Sequence, residues 1–327
     1  MTRFRHTLST LTLATLAWAS GPALADSYPE RPIHLVVGYA PGGPTDILAR
    51  QIAPVLAEVL GQQVVVDNKP GASGNIGGND VARAKPDGYT LLLGDLTLAT
   101  NPSLMQRMPF EPQTALTPIA PLAKAPLALV VHPDVPANSL GELLDYARAN
   151  PGKLTYGTAG NGNLTHLAGE VLKARTGVDI RQVPYKGSGP AITDLVGGQI
   201  AMVITGLSST EGFIQAGKLR PLAITGTQRS AALPEVPTFR EATGLPLEAL
   251  DVGSWWGLFG PANLPEAVVA TLNQATRTAL ARPDLQARLK GMNIEADPGS
   301  PADQKQRLAS ETATWQTVIQ QAGIVPQ

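Results

Sequence analysis

The sequence predicts an α/β protein of two lobes, each a mostly parallel sheet flanked by helices, followed by a helical tail. Short apolar runs alternate with segments whose apolar residues recur at helical spacing, the pattern of strand–helix–strand units. The alternation runs in two series, the second beginning near Pro126. About 300 residues follow an N-terminal leader, enough for two hydrophobic cores.

Residues 34–39 read as a buried strand. Residues 46–60 read as a helix with Ile47, Leu48, Ile52, Val55, Leu56 and Val59 on one face. Strands follow at 64–66 and 89–93, the second introduced by a Pro86-Asp87-Gly88 turn. In the second series, strands are expected at 127–132, 154–157, 180–183, 200–204 and 219–225. Helices are expected at 139–149, 164–175 and 191–196, the first capped by Ser139. A strand at 252–259 precedes helical stretches at 266–281, 284–290 and 302–322, which are expected to pack back on the first lobe.

The leader fixes the expected compartment. Arg3, Arg5 and His6 precede an apolar run from position 8 to 19, and Ala23-Leu24-Ala25 offers the small-x-small pattern of a signal-peptidase site. The run falls short of the roughly 20 residues that span a bilayer. Export to the periplasm with cleavage before Asp26 is expected, without stable membrane insertion. The chain has 25 basic and 26 acidic residues. Without Arg3 and Arg5 the balance is 23 against 26, a net charge of −3, which argues against nucleic acid or an anionic membrane as partner. The chain contains no Cys, which excludes disulfides, thiol nucleophiles and Cys metal sites.

Two loops stand out. Ala40-Pro41-Gly42-Gly43-Pro44-Thr45-Asp46 joins the first strand to the first helix, where free N–H groups and the helix dipole favour an anion. The alternative is a plain turn in which Thr45 or Asp46 caps the helix. Tyr156-Gly157-Thr158-Ala159-Gly160-Asn161-Gly162-Asn163 repeats the device ahead of the helix carrying Thr165 and His166. Ligands in open α/β sheets sit beyond strand C-termini, so facing loops would clamp one small anion. Gly71-Ala72-Ser73-Gly74-Asn75 reads as a linker or a third such loop. Lys186 reads as solvated or as a partner for a carboxylate, and Trp255 and Trp256 as core or as pocket lining.

Catalytic motifs are missing. Asn75 and Lys186 occupy glycine positions that G-x-S-x-G would need around Ser73 and Ser188. His34, His132 and His166 lack metal-ligand spacing, and neither Gly152-Lys153 nor Gly217-Lys218 completes a phosphate-binding loop. No cofactor or metal is expected. A secreted hydrolase or isomerase would need a reactive pair, for which His166 with Asp46 or Asp95 is the remaining option. A receptor for a sensor kinase is a further alternative.

Along its mature length the chain resembles the Bug-type solute receptors, the extracytoplasmic substrate-binding components of tripartite tricarboxylate transporters. The matching blocks include Pro41-Gly42-Gly43-x-Thr45-Asp46, Asn68-x-Pro70-Gly71-Ala72-x-Gly74-Asn75-Ile76-Gly77 and Pro86-Asp87-Gly88-Tyr89-Thr90-Leu91. Others are Asn150-Pro151-Gly152-Lys153-Leu154-x-Tyr156-Gly157, His166-Leu167-Ala168-Gly169-Glu170 and Val183-Pro184-Tyr185-Lys186-Gly187. The resemblance implies a periplasmic-binding-protein clamshell with hinge strands, with the signal peptide at 1–25 and the first lobe at 26–124 and 248–327 around a second lobe at 125–247. It implies a monomer that binds a small carboxylate without chemistry and delivers it to membrane permease subunits. A monocarboxylate or dicarboxylate, an aromatic acid or a related amide would serve.

Expected ligand-binding residues are Tyr39, Pro41, Gly42, Gly43, Thr45, Asp46, Asp95 and Thr97 from the first lobe. The second lobe would supply Thr158, Ala159, Gly160, Asn161, His166, Lys186 and Thr205. Two departures from the family pattern stand out. Ile204-Thr205-Gly206 replaces a frequent Phe-Asp-Asn, which removes a partner for a ligand ammonium and favours a plain acid. Asp95 stands where small hydroxyl residues are commoner, so it either repels a second carboxylate or binds a hydroxyl or amide.

Overall fold

The structure, a computed structural model, describes residues 28–245, 253–321, 324 and 326. The expected signal peptide and cleavage point, position 252 of the hinge strand, the 247/248 lobe boundary and the last residue of the tail helix lie outside those residues.

In chain order the first part comprises β1 (Ile33–Val37), α1 (Pro44–Leu60), β2 (Val64–Asn68), α2 (Asn75–Ala82), β3 (Thr90–Asp95), α3 (Thr97–Leu104), α4 (Pro112–Ala115) and β4 (Leu116–Ala125). The second comprises β5 (Leu127–Val131), α5 (Leu140–Ala149), β6 (Thr155–Thr158), α6 (Leu164–Thr176), β7 (Arg181–Pro184), α7 (Ser188–Val196), β8 (Met202–Gly206), α8 (Glu211–Gln215), β9 (Arg220–Ile224) and α9 (Phe239–Thr243). The return is β10 (Ser254–Pro261), α10 (Glu266–Leu280), α11 (Pro283–Gly291), β11 (Glu295–Ala296) and α12 (Pro301–Gln321).

Two sheets result, ordered β11-β4-β10-β3-β1-β2 and β7-β6-β8-β5-β9. They confirm the two-lobed α/β prediction but correct its strand directions, because each sheet is mixed. β1 pairs in parallel with β2 and β3, and β6 with β7 and β8. The antiparallel pairs centre on β10 and β5. The cause is the crossing between lobes. β4 hands the chain to β5 through Pro126 alone, and β10 returns beside β4 with Ser254 opposite Ala125. Strands that cross must run back along their own sheets.

α1 begins with Pro44 and ends at Gly61, whose positive φ of 70° ends the helix. Its buried face, Leu48, Ala49, Ile52, Val55 and Leu56, packs with α10 and α11 over the first sheet. α12 covers α3 and β4, burying Trp315. The tail therefore packs on the first sheet, as expected.

Five first-lobe elements escaped the sequence reading: the short α4 and β11, and the longer α2, α3 and β4. α2 carries Gly77 and Gly78, and α3 carries Asn101 and Pro102, so neither shows a clean apolar stripe. β4 contains Pro118 and Pro121, which argue against a strand. Both prolines adjoin shifts in the register with β10, where ladder hydrogen bonds are interrupted.

Candidate functional site

The cleft between the sheets encloses a cavity of about 50 Å³, where one water needs about 10–15 Å³. Its wall is built at strand C-termini and helix starts. The β1–α1 loop supplies Gly43, Pro44 and Thr45, the end of β3 supplies Asp95, and the start of α3 supplies Thr97. From the second sheet come Ala159, Asn163, Thr165, Ser188 and Thr205, while Ser254 and Trp256 close the hinge side. No Lys or Arg is among these lining residues.

Asp95 is the hub of the first-lobe wall. Its Oδ1 accepts the Tyr39 hydroxyl (3.2 Å), the Thr97 N–H (3.0 Å) and the Thr97 hydroxyl, and its Oδ2 accepts the Thr45 hydroxyl (3.3 Å). Trp256 Nε1 in turn donates to Thr45 Oγ1 at 3.0 Å, which fixes the direction of the Thr45 proton. Burial pushes the Asp95 carboxyl above the usual carboxylate range, against the pull of the hydrogen bonds from Thr97, Tyr39 and Thr45. Burial and the neighbouring Asp95 likewise push the Tyr39 phenol well up, so it stays a donor.

The anion-favouring groups are backbone. α1 has Gly43 as N-cap and α7 has Gly187, and neither helix has a side-chain cap bond. Their N-termini meet across the cleft: a methyl on Gly43 would lie 3.6 Å from Ser188 N. Two positive dipole ends and their free N–H groups thus face one small space. α6 differs, because Asn163 Oδ1 already accepts from Thr165 N (2.8 Å) and His166 N (3.3 Å).

The lobes touch directly. Ala40 N–H donates to the Lys186 carbonyl at 3.0 Å, Thr100 Oγ1 to the Gly162 carbonyl at 3.4 Å, and the Ser73 hydroxyl to the Asn161 carbonyl. A second space of about 310 Å³ adjoins the first, with Tyr39 and Ala159 lining both.

Among the expected site residues, Tyr39, Gly43, Thr45, Asp95, Thr97, Ala159 and Thr205 line the inner cavity. Gly160, Asn161 and Lys186 line the adjoining space, and Pro41 and Gly42 an outer groove. The other three are turned to structural duties. Thr158 accepts from Gln182 Nε2 at 2.9 Å. His166 Nδ1 accepts the Gly162 N–H at 3.1 Å, and its Nε2 lies 3.8 Å from Glu170 Oε1. Burial holds the imidazole pKa down, so at neutral pH the ring is uncharged. The pairing of His166 with Asp46 or Asp95 is therefore not assembled.

Asp46 accepts from Gly42 N (3.0 Å), Arg50 Nε (3.0 Å) and Asn68 Nδ2 (2.9 Å). Neither Asp46 nor Thr45 caps α1: the Asp46 carboxylate is taken by Gly42, Arg50 and Asn68, and the Thr45 hydroxyl by Asp95 and Trp256.

Ser188, Asn163, Thr165 and Trp256 are cavity residues that were not among the expected ligand contacts. Helix α7 was expected to begin at 191 but starts at Ser188. Pro190 in its first turn was the available signal, because proline is tolerated there.

Thr205 Oγ1 is buried and has no hydrogen-bond partner among the described residues. Thr205→Val is expected to raise the stability of the unliganded protein by about 1 kcal/mol in urea melts, since an unpaired buried hydroxyl is replaced by an isosteric methyl. A fall in stability would mean that the hydroxyl has a structural partner.

The family described as "TctC: Tripartite tricarboxylate transporter family receptor" matches residues 48–324. The "UPF0065 protein in tcbD-tcbE intergenic region" of Pseudomonas sp. (strain P51) is 39% identical over 315 residues, covering 96% of this chain and 93% of that one. Among solved structures, periplasmic binding protein BugD is similar with a TM-score of 0.88 and 36% identity, over 92% of this chain and all of that one. R. palustris Rpa4515 with adipate gives 0.87 and 36% over the same shares.

Proposed function

The chain belongs to the tripartite tricarboxylate transporter receptor family, and on that premise we propose that it captures a small carboxylate-bearing organic acid between its lobes and passes it to membrane permease subunits. It is a receptor and not an enzyme. The observation that carries the ligand class is the meeting of α1 and α7, two helix starts without side-chain caps, at one cavity. Carboxylate oxygens accept what those backbone N–H groups donate, and each charge-assisted bond contributes about 1.5–3 kcal/mol. The adipate held by a similar structure favours the same class of solute.

We take the lobes as 26–124 with 248–327 around 125–247, a division that the single-residue link at Pro126 between β4 and β5 supports at its first limit. The basic start and apolar run of the leader support a periplasmic location, and among the described residues no helix is long and apolar enough to cross a membrane.

Closure gains only the contacts that the open form lacks, so ligand shifts the balance by that difference. A thermal-shift screen of organic acids, amino acids and amides tests the reading. A true ligand at a hundred times its Kd stabilises the protein by about 2.7 kcal/mol. Gly43→Val is expected to abolish the shift, because its methyls project between Gly43 and Ser188 while φ at that position, −84°, suits valine. A variant that responds like the parent would exclude the α1 loop as the cradle.

A further inference from the structure

We propose that Asp95 sets the specificity of this cleft, its Oδ2 accepting a hydrogen bond from a hydroxyl, amino or amide donor on the bound acid, so that donor-bearing carboxylates are taken over plain ones. The proposal rests on the carboxylate reading above and names the class within it.

The two oxygens of Asp95 are unequal. Oδ1 is filled by Tyr39 and by both donors of Thr97, whereas Oδ2 has only the 3.3 Å bond from Thr45. Thr45 cannot add a second bond, since its one proton is directed to Asp95 by the Trp256 Nε1 donor. An ionised carboxylate has about four acceptor sites, so Oδ2 keeps capacity on the wall of the cavity. The residue cannot swing aside, because three side chains, from the β1–α1 loop, α1 and α3, and one backbone amide hold it.

The surroundings favour a donor over a second negative charge. No Lys or Arg lines the cavity to offset Asp95, so a second ligand carboxylate beside it meets like charge at low dielectric. The desolvation that lifts the Asp95 pKa is relieved by a ligand N–H or O–H. Across the cavity, the buried Thr205 hydroxyl, without a hydrogen-bond partner among the described residues, is a second polar atom for the same ligand group. A site built around a buried acceptor rejects the analogue without the donor more strongly than an apolar pocket rejects a missing methylene. Thr205 in place of a frequent family Asp, which on sequence favoured a plain acid, is thus offset by an acid on the opposite lobe.

Calorimetric titration of matched pairs tests this: succinate against malate, propionate against lactate, and butyrate against 4-aminobutyrate. With the parent protein, the donor-bearing member of at least one pair is expected to bind at least about tenfold more tightly. In Asp95→Ser the ratio is expected to fall to about twofold or less. Asp95→Asn, whose amide NH₂ can donate where Oδ2 accepted, is expected to keep a hydroxyl, which can accept that bond, but to lose any preference for 4-aminobutyrate over butyrate, since an ammonium cannot accept. The parent comparison stands even if a variant fails to fold. Equal binding within every pair, or a preference that survives in both variants, overturns the role of Asp95 and leaves the carboxylate reading intact. If no acid binds the parent, the carboxylate reading falls and the inference falls with it.

Discussion

Gly189→Val is expected to leave both lobes folded and to weaken solute binding by about two orders of magnitude. Gly189 is the second residue of α7, outside the left-handed backbone region, so its own helix tolerates a side chain. The obstacle lies on the other lobe. A Cβ at this position would fall on the carbonyl oxygen of Pro41 and within 3.1 Å of Pro41 C and 3.2 Å of Gly42 C. Backbone atoms cannot yield as a flexible side-chain tip can, so the clash acts on the closed form alone. Raising that form by about 2.8 kcal/mol lowers its population, and hence the apparent affinity, about a hundredfold. Calorimetry reads the affinity, small-angle scattering reads a larger radius of gyration, and an unchanged urea midpoint shows that the fold survives. A variant as compact and tight-binding as the parent would show that closure does not need this contact. The neighbouring Gly42 is a poorer probe, because its φ of 87° makes any side chain strained in both states.

Which features were legible follows from how local their causes are. Helices α1, α5, α6 and α10 carry regular apolar stripes, and the Ser139 cap that accepts from Glu142 N is written within four residues. The positions of Asp95 and Thr205 at strand C-terminal ends, and of Gly43 just beyond one, could be inferred, because strand C-termini mark the ligand side of an α/β sheet. Strand directions could not, since they depend on where the chain crosses at Pro126. β4 was hidden because its two prolines make sense only beside the irregular register of β10. The role of Trp256 was hidden too, since its indole N–H meets Thr45 from 211 positions away. Ser188 was masked by Gly189 and Pro190, which read as loop until α7 is seen to start there.

Asp46 shows the same limit at one residue, and replacing it has the second large expected effect. Its side chain, 4% exposed, ties three separate pieces of the first lobe: the Gly42 amide of the cleft loop, Arg50 one turn along α1, and Asn68 at the end of β2. Asn68 Nδ2 also donates to the Tyr39 carbonyl at 3.0 Å, so the clamp steadies the backbone on both sides of Pro41. Asp46→Ala is expected to cost about 2–3 kcal/mol in urea denaturation, because it removes the buried carboxylate that holds Gly42 N, Arg50 and Asn68 Nδ2 together. Arg50, half exposed, contributes less than its charge suggests, so Arg50→Ala is expected to cost under about 1 kcal/mol. The pH dependence gives an independent check. Burial alone would raise the Asp46 pKa, but the bonds from Arg50, Gly42 and Asn68 outweigh it and the net shift is downward. The folded state therefore binds this proton less readily than the unfolded chain. The stabilisation is complete above the ordinary aspartate pKa and is lost as pH falls through the depressed one. The stability gap between parent and Asp46→Ala should narrow on acidification. A gap that is constant with pH would mean that the loss comes from packing, with the charged clamp contributing nothing.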